Sequence, residues 1–325
     1  YNMTDWKLKT GDTEAQADYY NDIIYITGKN NLLAINLEGV LLWEYKITAE
    51  ILSKPCIYEE HIYFGDINGL LYKLDITDSY FKLKYRLLWK LTLSGALFSS
   101  PIIYNDYLYI GCDDHYLYKI NIADVLNGDE RIVWKFKTGN EIYYNPVFYN
   151  NLVFISSSDT FLYCLDLDSN IKWKYTINNA IITEPLIYKN YIYIGTSKGD
   201  VILLNLKGEL LKRNTFGMFI FYKPYFLNNH IYIISLVGKV LCYNLLLELI
   251  WDYDCGEILV MCSTYMNNIC VITDRSELFL LNYNDGTLIN SKNILNKIIF
   301  SPPIIIGDKV LIKDRKGGLY LTNIS

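Results

Sequence analysis

The sequence holds little that would carry metal or nucleophile chemistry. Three histidines, His61, His115 and His230, stand far apart in 325 residues. None has a Cys or His partner at ligand spacing, which argues against a zinc site. Seven cysteines (Cys56, Cys112, Cys164, Cys242, Cys255, Cys262 and Cys270) form no CxxC pair and are odd in number. Most replace apolar residues in strand-like stretches, so buried free thiols in a reducing, cytoplasmic compartment are expected. No apolar run approaches the ~18 residues of a membrane span. The longest candidate, Leu245 to Trp251, is broken by Glu248. Basic residues are scattered over a chain of net charge −5 and pI 5.3, without the concentrated footprint of a nucleic-acid surface. Fingerprints of the nucleophile elbow, the P-loop and the dinucleotide fold are missing. So are capped stretches of helical period. No Pro/Ser-rich linker or charge run marks a boundary, and residues 1–325 read as one domain. The chain opens on Tyr1, which suggests an excised domain or a processed product.

What is abundant is strand material. Half of the residues are hydrophobic and 31 are tyrosine, a residue suited to half-buried strands. Segments such as Leu108-Tyr109-Ile110 and Tyr191-Ile192-Tyr193-Ile194 are bounded by Asn, Asp and Gly, as strands are. These segments recur on a ruler. All six tryptophans (Trp6, Trp43, Trp89, Trp134, Trp173 and Trp251) mark one slot, at intervals of 37, 46, 45, 39 and 78 residues. The mark missing from the double interval falls at Lys212, and a degenerate one at Ser291. Twelve residues after each mark comes a second slot, with Asp18, Pro55, Pro101, Pro146, Pro185, Pro224, Ser263 and Pro303. Proline donates no backbone hydrogen bond and is tolerated at the first residue of a strand. Twenty-two residues after the mark a glycine is favoured, at Gly28, Gly65, Gly111 and Gly195. It is expected to close a tight turn at positive φ. The tryptophans are expected to stack one unit on the next.

A period of about 40 with several strands per unit points to propeller blades. The fold class is therefore all-β: an eight-bladed β-propeller of four-stranded antiparallel blades. The chain starts on a mark strand and ends on the strand that precedes one. Trp6 is thus expected to complete the last blade and remove an open sheet edge.

The combined slots resemble the PQQ-like (quinoprotein-type) β-propeller repeat. The residues that carry the resemblance are Phe98-Ser-Ser-Pro101, Tyr109-Ile-Gly111, Leu117-Tyr118-Lys-Ile-Asn121 and Asp166-Leu-Asp-Ser-Asn-Ile-Lys-Trp173. Three families share the repeat: quinoprotein alcohol and glucose dehydrogenases, bacterial outer-membrane assembly lipoproteins, and the C-terminal propeller of β-alanine-activating (aminoadipate-semialdehyde dehydrogenase-like) adenylation proteins. The phrasing of Phe98–Cys112, echoed at Phe300–Pro303, resembles the third most closely. That resemblance implies an accessory domain of a larger adenylation-type enzyme.

A quinone dehydrogenase needs carboxylate and amide oxygens around Ca²⁺, and an aspartate as general base. The alcohol dehydrogenases add an adjacent cysteine pair, which this sequence lacks. Positions just before the proline slot should lie near the central channel. Lys54, Ser100, Asn145, Glu184 and Lys223 form this candidate ring, with one carboxylate among them. Glu184 and Lys223, on neighbouring units, are expected to pair. No catalytic residue, metal or cofactor is expected. Two insertions, Ile76–Leu88 and Ile122–Val133, join the third strand of a unit to its outer strand. The first carries Tyr80, Phe81, Tyr85 and Arg86, types favoured at protein interfaces. They form a candidate docking patch for a protein partner or for other domains of the same polypeptide. The function expected is a non-catalytic interaction scaffold. A quinoprotein oxidoreductase and an envelope-assembly scaffold are the alternatives.

Overall fold

Short, mostly polar pairs fix the register of the hairpins. Asn21-Asp22, Glu59-Glu60, Asn105-Asp106, Asn150-Asn151, Asn228-Asn229 and Met266-Asn267 all have positive φ at both residues. Two-residue loops of this kind follow the right-handed twist of the flanking strands, and Asn and Asp tolerate the conformation best. Each pair joins the first strand of a sheet to the second, as Tyr104 meets Tyr107 in the third sheet.

A computed structural model describes residues 6–9, 16–77, 85–181, 183–220, 222–299, 303–314 and 316–324. It contains eight four-stranded antiparallel sheets, the blades of an all-β propeller. The third blade is typical. Strands Ile102–Tyr104, Tyr107–Gly111, Tyr116–Asn121 and Ile132–Lys137 follow one another across the sheet. The last blade is the exception. Its fourth strand is Trp6–Lys9, paired antiparallel with Gly318–Asn323 so that Trp6 faces Leu321 and Lys9 faces Gly318. The N-terminal strand closes the last blade, as the phase of the repeat requires.

Burial follows strand position. Second strands such as Leu152–Ser156 are buried on both faces beyond their first residue. They accordingly read as unbroken apolar runs. Outer strands such as Ile171–Thr176 alternate, with every second side chain exposed. The cores lie between blades. Tyr63, Trp89 and Leu97 from the second blade and its following linker form one cluster with Leu108, Ile110 and Tyr118 of the third.

Contacts divide the chain into two compact units. The first comprises Tyr1–Pro146, Ser157–Asp159 and Lys316–Leu321, and the second Val147–Ser156, Thr160–Arg315 and Thr322–Ser325.

The register corrects three slots. Among the marks, Trp43 faces Ala34, Trp89 faces Lys73 and Lys212 faces Leu203, each at the fourth residue of a third strand. In the seventh blade that partner, Leu280, faces Asn290 rather than Ser291. The proline slot lies four residues before the first residue of the hairpin pair, so Ala17 and not Asp18 occupies it in the first blade, and Cys262 and not Ser263 in the seventh. The segments leading into these two blades are one residue shorter, which a fixed count from the tryptophan hides.

The glycine slot has another cause than the one expected. Gly65, Gly111 and Gly195 do not have positive φ. They end second strands, and a Cβ there would collide with an apolar side chain from the linker to the next blade. For Gly65 this is Leu97 at 2.7 Å, for Gly111 Ile142, and for Gly195 Ile220 at 2.8 Å. Close approach, not backbone conformation, demands the glycine.

Candidate functional site

The first strands of successive blades touch. In the first unit these are Ala17–Tyr20, Cys56–Tyr58 and Ile102–Tyr104. In the second they are Val147–Tyr149, Leu186–Tyr188, Tyr225–Leu227 and Leu259–Tyr265. Their heads carry the candidate ring residues. Lys54 Nζ lies 2.9 Å from Asp18 Oδ1. The Lys54 amide donates to Ser100 Oγ at 3.0 Å, and the Ser100 amide to Asn145 Oδ1 at 2.6 Å. Ser99 Oγ also reaches Asn145 Oδ1, at 3.4 Å. Lys54, Ser100 and Asn145 are therefore joined in a chain that ties each blade to the next. In the second unit Lys223 Nζ and Glu184 Oε2 lie 3.2 Å apart. Half-exposed ion pairs of this kind hold geometry more than they add stability.

Other acids cap turns. Buried Asp66 accepts the amides of Asn68 and Leu70 at 2.9 and 3.0 Å and the Tyr72 hydroxyl at 2.9 Å. Asp114 of the Asp113-Asp114-His115 cluster accepts the Tyr116 amide at 3.1 Å and the Tyr118 hydroxyl. Asp166 pairs with Lys172 at 2.9 Å and accepts the amides of Asp168 and Asn170. The Lys172 ammonium, with Asn170, holds its carboxyl well below the usual carboxylate range. Among the described residues no group of three His, Cys, Asp or Glu side chains is placed to hold a metal ion.

The cysteines are thiols in apolar surroundings. Burial pushes Cys112, Cys164, Cys242, Cys255 and Cys270 up to about 12, and Cys56 to about 11. Such groups are poor nucleophiles at neutral pH.

Tyr80 and Phe81 of the candidate docking patch lie outside the described residues. Tyr85 rests on the first blade, with its ring 4.9 Å from that of Trp43 and 5.2 Å from that of Tyr45. Arg86 pairs with Asp75 of its own blade at 3.0 Å. The second insertion docks in the same way on the second blade. Arg131, 2% exposed, lies 4.4 Å over the Trp89 ring and donates to the carbonyls of Ala123 and Leu126. Lys73 donates to the Ile122 carbonyl at 3.0 Å and to Asp124 at 2.9 Å. In the second unit the connections are minimal and cover the tryptophan with backbone. Trp173 Nε1 donates to the Leu206 carbonyl at 2.9 Å, and Trp251 Nε1 to that of Tyr283 at 3.2 Å. Trp43, Trp89, Trp173 and Trp251 thus hold one blade to the connection of the next.

One recurring slot escaped the count of tryptophans, prolines and glycines. Ile51, Leu97, Ile142, Ile181, Ile220 and Ile299 sit in the linkers between blades, and Leu259 at the start of a first strand; all are at most 3% exposed. Most lie four residues before the proline slot. In a sequence this rich in isoleucine and leucine, nothing in composition singles them out.

The comparisons agree with this geometry. The family described as outer membrane protein assembly factor BamB matches residues 6–124 and 86–287. No curated protein matches the sequence. Among solved structures, BamB from Moraxella catarrhalis is similar at a TM-score of 0.77 and 16% identity, covering 97% of this chain and 95% of that one. The computationally designed Ika8 protein is similar at 0.80 and 12% identity, covering 97% and 98%. Sqt1 from Saccharomyces cerevisiae is similar at 0.80 and 10% identity, covering 98% of both chains. At these identities the three structures speak for the fold alone. The family match spans most of the chain, so this protein belongs to the BamB-type family of PQQ-like repeat propellers.

Proposed function

We propose that this chain is a non-catalytic interaction scaffold, of the assembly type that its family's description names. The observation that supports it is the engagement of the inner-strand heads. Lys54, Ser100 and Asn145 bond one another across blades, and Glu184 bonds Lys223. The position where a quinoprotein would gather cofactor ligands is thus occupied by residues that fasten blades. The buried acids Asp66 and Asp200 likewise serve their own turns and neighbours. A role as accessory domain of an adenylation-type enzyme rests on the phrase Phe98–Cys112 and remains part of the proposal. So does a cytoplasmic setting, supported by seven free cysteines. Calorimetric titration with pyrroloquinoline quinone and Ca²⁺ tests the reading. A scaffold gives no saturable heat. Saturable one-to-one binding would favour the oxidoreductase.

A further inference from the structure

At one position of the linkers between blades the second unit carries large exposed apolar side chains and the first unit carries none. The residue just before each buried linker plug reads Glu50, Ala96 and Glu141 in the first unit, and Ala180, Phe219, Ile258 and Ile298 in the second. Phe219, Ile258 and Ile298 are 59%, 46% and 48% exposed, and Val237 between them is 54% exposed.

Backbone contacts join these residues into one arc. The turn holding Lys198 lies against the linker before the sixth blade, where a Cβ on Gly199 would meet the Met218 backbone. The Phe219 carbonyl accepts the Leu236 amide at 3.0 Å. A Cβ on Gly238 would lie 2.5 Å from the Glu257 carbonyl, so Val237 adjoins the linker of Ile258. The Ile258 carbonyl accepts the Asp274 amide at 2.8 Å, and the Asp274 carbonyl accepts the Ile299 amide at 2.7 Å. The order along the arc is Lys198, Phe219, Val237, Ile258, Arg275, Ile298.

Exposed cations flank Phe219, Val237 and Ile258 on the arc. Lys198 is exposed. Arg275 projects with 71% of its side chain exposed, while its partner Glu257, 3.0 Å away, is 23% exposed. Contiguous exposed apolar side chains of this kind mark binding surfaces, and cations at the rim select the partner by charge.

We infer that this arc is a docking surface for an amphipathic acidic segment of a partner protein. Apolar side chains of that segment cover Phe219, Val237 and Ile258, and flanking carboxylates meet Lys198 and Arg275. The inference rests on the scaffold reading and names the site and chemistry of its partner.

The test is fluorescence anisotropy with two labelled peptides, one alternating Leu and Phe with Glu, the other with Lys in place of Glu. The acidic peptide is expected to bind and the basic one not. Phe219→Ser with Ile258→Ser should weaken binding roughly ten-fold or more, with an unchanged melting temperature. Lys198→Glu with Arg275→Glu should reverse the preference between the peptides. Equal binding of the two peptides, or an unreversed preference, overturns the arc. Recovery of the native partner is the second readout. A complex that survives Phe219→Ser/Ile258→Ser overturns the arc and leaves the scaffold standing. No complex even with the unaltered chain, alongside selective and reversible peptide binding, overturns the scaffold and leaves the arc standing.

Discussion

The two units fill the buried plug and glycine slots alike and differ where a slot meets water or lies on the outer strand. The buried linker plug is Ile51, Leu97 or Ile142 in the first unit and Ile181, Ile220, Leu259 or Ile299 in the second. The glycine that accommodates a plug is Gly65 or Gly111 in the first and Gly195 in the second. One residue before the plug the agreement ends, with Glu50 and Glu141 against Phe219 and Ile258. The outer strand differs too. The first unit buries Trp89 under Arg131, while the second has Lys212 and Asn290 at two of its marks. The plug and glycine slots are kept by packing cost, whereas the mark on the outer strand is not kept. Slots that face solvent are free to diverge, and a surface can be built there.

Four tests break or sharpen that contrast, the largest effect first. Deletion through Thr10 removes the strand that covers Gly318–Asn323 and exposes a sheet edge. Thermal melting should fall by about 10 °C or more, and an unchanged transition would mean that the blade does not need closing. Trp89→Ala should cost ~3–5 kcal/mol in denaturant unfolding. Lys212→Ala, at the same register in the second unit, should stay within ~0.5 kcal/mol. Equal costs would erase the difference between the units' outer strands. Gly111→Ala and Gly195→Ala should each cost about 1–3 kcal/mol, and Ile142→Ala should offset part of the Gly111→Ala loss. If only one glycine is sensitive, the buried slots are not equivalent. Phe219→Ser with Ile258→Ser should leave stability within about 0.5 kcal/mol each. A larger loss would make those side chains part of the core.

Blade number, strand order and closure could be read from the sequence because proline, glycine and tryptophan are rare enough to serve as rulers. The ruler slipped by one residue at Asp18, Ser263 and Ser291, where connections one residue shorter or longer shift the register and no rare residue reports the change. The glycines were found but misread, since sequence does not distinguish a positive φ from a Cβ collision with Ile142 or Leu97. The inner-strand heads were legible as positions, because they precede proline. Their bonds were legible only for Glu184 and Lys223, whose charges announce a partner. The Ser100 amide donating to Asn145 could not be foreseen, since it joins residues 45 apart through a backbone donor. The arc was hidden for a different reason. In a chain that is half hydrophobic, an exposed Phe219 and a buried Ile220 look alike.

The most direct test of the scaffold is the mass of the tagged protein purified from its own cells after mild cross-linking. The account predicts a discrete complex that contains a second polypeptide, with cross-links from that partner on the linkers around Phe219 and Ile258. A species at the mass of the free chain that oxidises an alcohol once quinone and Ca²⁺ are supplied would contradict it.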